Sequence, residues 1–96
     1  MKTEDIVASH REEILATARK HGAYNVRVFG SVARGEARPD SDIDFLVNLE
    51  AGRSLMDLAR LLRDLQSLLG MNVDVVTEAG LRPRIRPQVL RDAYVL

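Results

Sequence analysis

The chain has 96 residues, 46% of them hydrophobic, and no cysteine, so we predict one small domain over residues 1–96 that is stabilised by its core rather than by disulfides. Fourteen basic and fourteen acidic residues balance to a net charge of zero, which disfavours broad electrostatic binding to DNA or RNA. No apolar run reaches the roughly 20 residues of a membrane span, and we therefore expect a cytoplasmic protein that binds neither nucleic acid nor membranes directly.

The first predicted element is an amphipathic helix over residues 3–20, with Thr3 as its N-cap and Gly22 just beyond its end. His10 and His21 have no partner at metal-ligand spacing, and we expect structural or solvent-facing roles for both. Apolar residues recur along one side of this helix at helical spacing, namely Ile6, Val7, Ile14, Leu15 and Ala18.

Two strands come next and enclose the most polar part of the chain. The first is predicted over residues 25–29 and leads directly into Gly30 and Ser31. A helical turn over residues 32–35 and a polar loop follow. The second strand, over residues 43–49, is rich in apolar residues, as is typical of an interior strand.

A leucine-rich helix is predicted after Ser54, with Asp57 three residues later in a capping-box position and Gly70 at its end. Its leucines recur every three or four residues, which indicates a face that covers the sheet. A leucine zipper is a poorer interpretation, because only about two heptads are present.

The third strand is predicted over residues 73–77, where Asp74 interrupts an apolar run with a charge. A short last helix is expected over residues 88–94, because Pro87 suits a first helical turn. We interpret the arginines of this tail as a solvated face, with contact to an acidic partner or to phosphates as the alternative; they are Arg82, Arg84, Arg86 and Arg91.

This order of elements predicts an α/β fold of the α+β type. A short connection joins the first two strands, whereas a full helix joins the second and the third. We therefore expect a small mixed β-sheet of three or more strands, with helices packed mainly on one face.

The most informative pattern is Gly30-Ser31 followed, after ten residues, by Asp42 and Asp44. The two aspartates are two apart at the start of a strand, so their side chains project from one face, where they repel each other. A divalent cation would neutralise them, and magnesium fits best because it prefers hard oxygen ligands together with substrate phosphates. If the third strand lies beside the second, Asp74 can join them, which is typical of two-metal phosphoryl and nucleotidyl transfer.

The glycine and serine suit the phosphates of such a substrate. Gly30 lets the backbone approach a phosphate closely, and the Ser31 hydroxyl can donate to its oxygens together with free amides of the following turn. Arg34 can add positive charge for a polyphosphate. Each feature alone also occurs in ordinary turns and loop–strand junctions, but their combination with Asp74 favours a site for a nucleotide and a metal.

These residues resemble the nucleotidyltransferase superfamily whose best-known member is DNA polymerase beta, with its pattern of Gly-Ser, ten residues and Asp-x-Asp. The brevity of the chain and the stretch over residues 30–36 are similar specifically to the minimal nucleotidyltransferases, or MNT domains, which are small prokaryotic proteins. The likeness covers nearly the whole chain and is strongest over residues 29–47.

The resemblance implies a polymerase beta-like fold and a role for each residue of the pattern. Gly30 and Ser31 correspond to the pair that holds the nucleotide phosphates. Asp42 and Asp44 correspond to the aspartates that bind magnesium. Asp74 corresponds to the third aspartate, which completes the metal site and helps to deprotonate the attacking hydroxyl.

The resemblance also implies an activity and a partner. Many members are antitoxins encoded beside a HEPN-domain ribonuclease toxin, which they inactivate by transferring AMP from ATP to a toxin tyrosine. We therefore expect a magnesium-dependent protein adenylyltransferase that uses two metal ions and ATP, with Arg34 compensating charge on the triphosphate. So short a chain leaves little for a substrate pocket, so the acceptor is expected on a partner chain in a hetero-oligomer.

Two other functions remain open at this point. The chain could be a catalytically silent antitoxin that acts by binding alone, although all three aspartates are present. It could instead transfer a nucleotide to a small hydroxylated molecule such as an aminoglycoside, although larger relatives use an additional domain for that purpose.

Overall fold

Four strands form one mixed sheet in the computed structural model, which describes residues 2–96. In chain order they are β1 (Ala23–Phe29), β2 (Ile43–Leu49), β3 (Val73–Thr77) and β4 (Tyr94–Val95). Their spatial order is β3-β2-β1-β4. β1 is antiparallel to both β2 and β4, whereas β2 and β3 are parallel. The predicted small mixed sheet is confirmed.

Five helices accompany the sheet within residues 2–96. They are α1 (Thr3–Ser9), α2 (Arg11–Lys20), α3 (Gly30–Ala33), α4 (Leu55–Leu69) and α5 (Arg86–Asp92). Within the same residues, no helix is both long enough and apolar enough to cross a bilayer.

The main core lies between one face of the sheet and the helices α2 and α4. Successive side chains of a strand alternate between faces, and in β2 this places Ile43, Phe45 and Val47 together in the buried cluster. Leu61 and Leu65 of α4 are buried against them. The leucine-rich face therefore covers the sheet, as predicted.

The ends of α4 also agree with the sequence prediction. The Ser54 side chain accepts from the Met56 backbone N–H, and the Asp57 carboxylate accepts from the Ser54 backbone N–H at 2.9 Å, which completes a capping box. Gly70 ends the helix in the left-handed conformation at φ 64°. Leu55 is the exception in the leucine series, because it is 81% exposed.

The prediction of one continuous helix over residues 3–20 is wrong, because the helix breaks at His10. This residue leaves helical geometry at φ −107° and ψ 15°, and its ring Nδ1 lies 2.9 Å from the Ile6 carbonyl oxygen. A histidine ring that bonds the last carbonyls of a helix favours termination there. Thr3 is also not the N-cap, since Lys2 occupies that position and Thr3 is the buried first helical residue.

The C-terminal segment differs from the prediction as well. The last helix begins at Arg86 and ends at Asp92, and Tyr94 belongs to β4 rather than to this helix. A strand of two residues has no periodicity to detect. It forms because β1 offers a free edge, and the pairing continues with a bond from the Leu96 N–H to the Val26 carbonyl at 3.0 Å.

α5 lies against the sheet face opposite the main core. Arg27 alternates with the core residues of β1, yet its side chain is buried, where it donates to Asn48 Oδ1 at 2.6 Å and pairs with Glu78. Arg86 of α5 donates to the Glu78 carbonyl oxygen at 2.9 Å. At least this arginine of the tail therefore has a structural role rather than belonging to a solvated face.

His21 joins the two helices of the main core. Its ring Nε2 lies 2.7 Å from Asp64 Oδ2 on α4, and the residue is 9% exposed. The structural role expected for this histidine is confirmed.

A comparison of two leucines tests this description of the core. Leu65→Ala should lower the free energy of unfolding by about 2–5 kcal/mol, because it leaves a cavity in the buried cluster. Leu55→Ala should change it by less than about 0.5 kcal/mol, since this side chain lies in solvent. Urea unfolding followed by circular dichroism measures both, and equal losses would contradict the assignment of the α4 face.

Candidate functional site

The polar residues predicted to act together lie at one edge of the sheet. In the parallel pair, Asp44 of β2 is directly opposite Asp74 of β3. In the antiparallel pair, Phe29 of β1 is opposite Asp44, so Gly30 and Ser31 emerge beside that carboxylate. We predicted that Asp74 would lie beside Asp44 if the third strand paired with the second, and this placement is confirmed.

Gly30 is in direct contact with Asp44. Its φ is +72°, and a Cβ atom built on it would overlap Asp44 Oδ2. Both observations favour glycine, because other residues rarely adopt this conformation and a Cβ atom here would force the Asp44 carboxylate to shift. The close approach of backbone and carboxylate links the end of β1 to the site.

The loop that carries Asp42 is closed by its own hydrogen bonds. The Arg38 N–H donates to Ser41 Oγ at 2.9 Å, and the Ser41 N–H donates to the Arg38 carbonyl at 2.9 Å. The Ile43 N–H then bonds the Asn72 carbonyl at 3.0 Å, where β2 meets β3. Asp42 is thus held between a tight turn and the first rung of the sheet.

Asp44 is the electrostatic centre of the site. Its side chain is half-buried, and burial, followed by the charges of Asp74 and Asp42, raises its pKa from 3.8 to about 6. The nearby charge of Arg34 opposes this rise. Burial and neighbouring negative charge disfavour the ionised form of this carboxylate, and a bound cation would stabilise that form.

The donor chemistry of this edge suits magnesium. Among residues 2–96, no group of three His, Asp or Glu side chains is placed so that it could hold a metal ion by itself. Magnesium is commonly held by one or two carboxylates, with the remaining positions filled by water and substrate phosphates. Asp42, Asp44 and Asp74 fit that requirement because they offer only hard oxygen donors.

Arg34 lies at the site but is engaged by acidic neighbours. Its Nη1 is 3.2 Å from Asp92 Oδ2, and its Nε is 3.4 Å from Glu36 Oε1. The pKa of its guanidinium is raised, and the largest cause is the hydrogen bond that it donates to Asp92. The sequence prediction missed Asp92, although it is the only acidic residue after Glu78, which is the one signal that sets it apart.

A cleft of about 470 Å³ opens near the same edge but does not include the carboxylates of the site. Ser41, Gln66 and Asn72 line it, along with Pro39, Asp40, Gly70 and Met71. Neither Asp44 nor Asp74 lines it. The carboxylates of the site therefore lie outside this cleft, and those of Asp42 and Asp74 are exposed.

Known proteins resemble this chain over most of its length. Residues 11–95 match the family described as nucleotidyltransferase domain. The protein adenylyltransferase MntA of Thermococcus cleftensis is 39% identical over 89 residues, which are 93% of this chain and 87% of the relative. A solved structure of a candidate minimal nucleotidyltransferase is 55% identical, has a TM-score of 0.88, and is matched over 99% of this chain and 97% of that chain.

A more distant structure shares the fold. It is a crystal structure of a toxin-antitoxin with AMP-PNP, which has a TM-score of 0.73 at 21% identity. The match covers 98% of this chain and 72% of that chain.

Two glycines with the same backbone conformation test the contact with Asp44. Gly30 and Gly35 both have φ +72°, but nothing lies within 4 Å of a Cβ atom built on Gly35. Gly35→Ala should therefore cost only the conformational penalty of about 1–2 kcal/mol. Gly30→Ala should cost clearly more, because Asp44 must also move. Urea unfolding of both variants decides this, and equal losses would argue against the close approach.

The raised pKa of Asp44 predicts a dependence of stability on pH. The folded chain binds this proton more tightly than the unfolded chain does, so the contribution to stability is complete below pH 3.8 and is lost as the pH rises through about 6. Asp44→Asn removes that loss. The variant should therefore be more stable than the unchanged chain at about pH 7.5, and the advantage should disappear near about pH 3.5.

Chemical unfolding at the two pH values measures this difference. Asp40→Asn is the matched control, because Asp40 is an exposed acid four residues before Asp44 in the sequence. An advantage of Asp44→Asn that is the same at both pH values would show that the charge of Asp44 is not its cause.

Proposed function

This chain belongs to the nucleotidyltransferase domain family, and on that premise we propose that it transfers AMP from ATP to a hydroxyl of a partner protein. The partner is a HEPN-type ribonuclease toxin and the acceptor is a tyrosine, so the transfer neutralises the toxin and the chain acts as its antitoxin. The observation that carries the proposal is the placement of Asp44 opposite Asp74, next to Gly30-Ser31. The proposal places the chain in the cytoplasm, where ATP is available.

The residues of the site have distinct roles in this reaction. Gly30 permits close approach of the triphosphate, and the Ser31 hydroxyl and the amides of α3 donate to its oxygens. Asp42, Asp44 and Asp74 would hold two magnesium ions, which would lower the pKa of the acceptor hydroxyl and offset negative charge on the phosphates.

The bond changes follow from this arrangement. Asp74 orients the acceptor hydroxyl and accepts its proton, and the hydroxyl oxygen attacks the α-phosphorus in line. The bond between the α-phosphorus and the bridging oxygen breaks, and pyrophosphate leaves with that electron pair. Arg34 compensates part of the charge on the leaving pyrophosphate. The products are AMP-modified tyrosine and pyrophosphate.

The proposed acceptor lies on another chain. Asp42 and Asp74 are exposed, and the nearby cleft does not include them or Asp44. Such an open site suits a tyrosine presented on the surface of a partner within a hetero-oligomer. The relative named protein adenylyltransferase and the structural neighbour named a toxin-antitoxin support this class of acceptor.

Transfer of a radioactive label from α-labelled ATP tests the proposal. The acceptor is a helical protein that carries an Arg-x-x-x-x-His motif and is encoded beside this chain, and the reaction contains magnesium. Asp44→Asn or Asp42→Ala should lower the rate at least roughly 100-fold, which is the scale of removing one group that stabilises the transition state. Asp40→Ala, in the same loop, should retain the rate, and EDTA should abolish labelling by the unchanged chain.

The same experiment separates the alternatives. Absence of labelling, with full neutralisation of the toxin by the variant that combines Asp42→Ala and Asp44→Ala, would replace the enzyme with an antitoxin that acts by binding alone. Labelling of a small hydroxylated molecule such as an aminoglycoside, but not of the protein, would change the acceptor class.

A further inference from the structure

We propose that Asp92 is a positioning residue, which holds the guanidinium of Arg34 in the orientation that receives the nucleotide phosphates. This inference rests on the proposed function. It assigns a role in the site to α5, whose last residue, Asp92, comes 58 residues after Arg34.

The carboxylate of Asp92 is itself held in place. Gln88, one helical turn earlier, donates from Nε2 to Asp92 Oδ1 at 3.0 Å and to Oδ2 at 3.1 Å. Arg91 in turn donates to Gln88 Oε1 at 2.8 Å. The Asp92 side chain is only 15% exposed, so it is shielded from water more than a typical surface acid. The Asp92 carboxylate that contacts Arg34 is therefore held in a fixed orientation by its neighbours on α5.

The contacts of Arg34 leave one end of its guanidinium available. Nη1 faces Asp92 and Nε faces Glu36, and within residues 2–96 these contacts do not use the N–H groups of Nη2. The guanidinium is planar, so fixing the positions of Nε and Nη1 also fixes the direction in which Nη2 points. A phosphate oxygen can then be bound by Nη2 without first ordering a long, flexible side chain.

Asp92 contributes more to this orientation than Glu36 does. The Glu36 side chain is 63% exposed and its contact with Arg34 is longer, at 3.4 Å. Solvent-exposed ion pairs of that kind hold side chains weakly. The positive charge of Arg34 opposes the rise in the pKa of Asp44. In the orientation that Asp92 maintains, Arg34 is therefore close enough to influence the site.

A double-mutant cycle on nucleotide binding tests the inference. The probe is α,β-methylene ATP with magnesium, which cannot release pyrophosphate, so calorimetry gives its Kd without turnover. Asp92→Ala should raise this Kd about tenfold in the unchanged background and by less than about twofold in the Arg34→Ala background. Asp92→Asn keeps an oxygen acceptor in the same place, and its Kd should stay within about threefold of the unchanged value.

Asp57→Ala is the matched control for a general loss of structure. Asp57 also pairs with an arginine, Arg53, at 3.4 Å, and its side chain is 19% exposed. It lies at the start of α4, at the other end of β2 from Asp44. This variant should lose stability because its capping box is removed, while the Kd for the analogue stays unchanged.

The outcomes that overturn the inference are separate from those that overturn the proposed function. An equal loss for Asp92→Ala in both backgrounds would show that Asp92 acts through the fold and not through Arg34. Unchanged or tighter binding by Asp92→Ala would show that Asp92 does not position Arg34 for the phosphates. In both cases the unchanged chain still binds the analogue and labels its acceptor. If the unchanged chain binds no nucleotide with magnesium, the proposed function fails and this inference fails with it.

Discussion

The parallel pairing of β2 with β3 is the constraint on which the rest of the structure depends. It sets Asp44 directly opposite Asp74, and burial together with neighbouring negative charge raises the pKa of Asp44 to about 6. Like charges on paired strands destabilise a sheet, so stability alone would favour an apolar or basic residue at one of these positions. The register thus retains an electrostatic repulsion that a bound cation can relieve. Sites that trade stability for function in this way are common in enzymes.

The connection between the two strands maintains that register. Parallel neighbours need a crossover, and α4 supplies it with a capping box at Ser54 and a left-handed glycine at Gly70. Leu61 and Leu65 pack this helix against the apolar face of the sheet. Because the main core is completed on that face, the opposite face of β2 and β3 can carry carboxylates at its edge. The amphipathic pattern of one helix therefore decides on which side the chemistry can take place.

The C-terminal segment completes the face that carries the carboxylates. β4 covers the free edge of β1, and the Glu78 carboxylate pairs with both Arg27 and Arg86. Partly buried ion pairs add little net stability, because desolvation offsets their attraction. Their effect here is on orientation, since they tie α5 to the sheet and bring Asp92 to Arg34. The same segment that closes the sheet thus reaches the predicted phosphate site.

Local signals in the sequence were sufficient for β2, β3 and α4, because caps, strand alternation and helical periodicity are properties of neighbouring residues. The sequence by itself also determined the spacing of Gly30-Ser31 and the aspartates, and it placed Asp74 beside them on the condition that the strands pair. Only the tertiary structure decided the break at His10, the two residues of β4, the pKa of Asp44 and the contact between Arg34 and Asp92. Each of these depends on burial, on a competing side-chain bond or on a partner far along the chain, and none of them leaves a periodic pattern in the sequence.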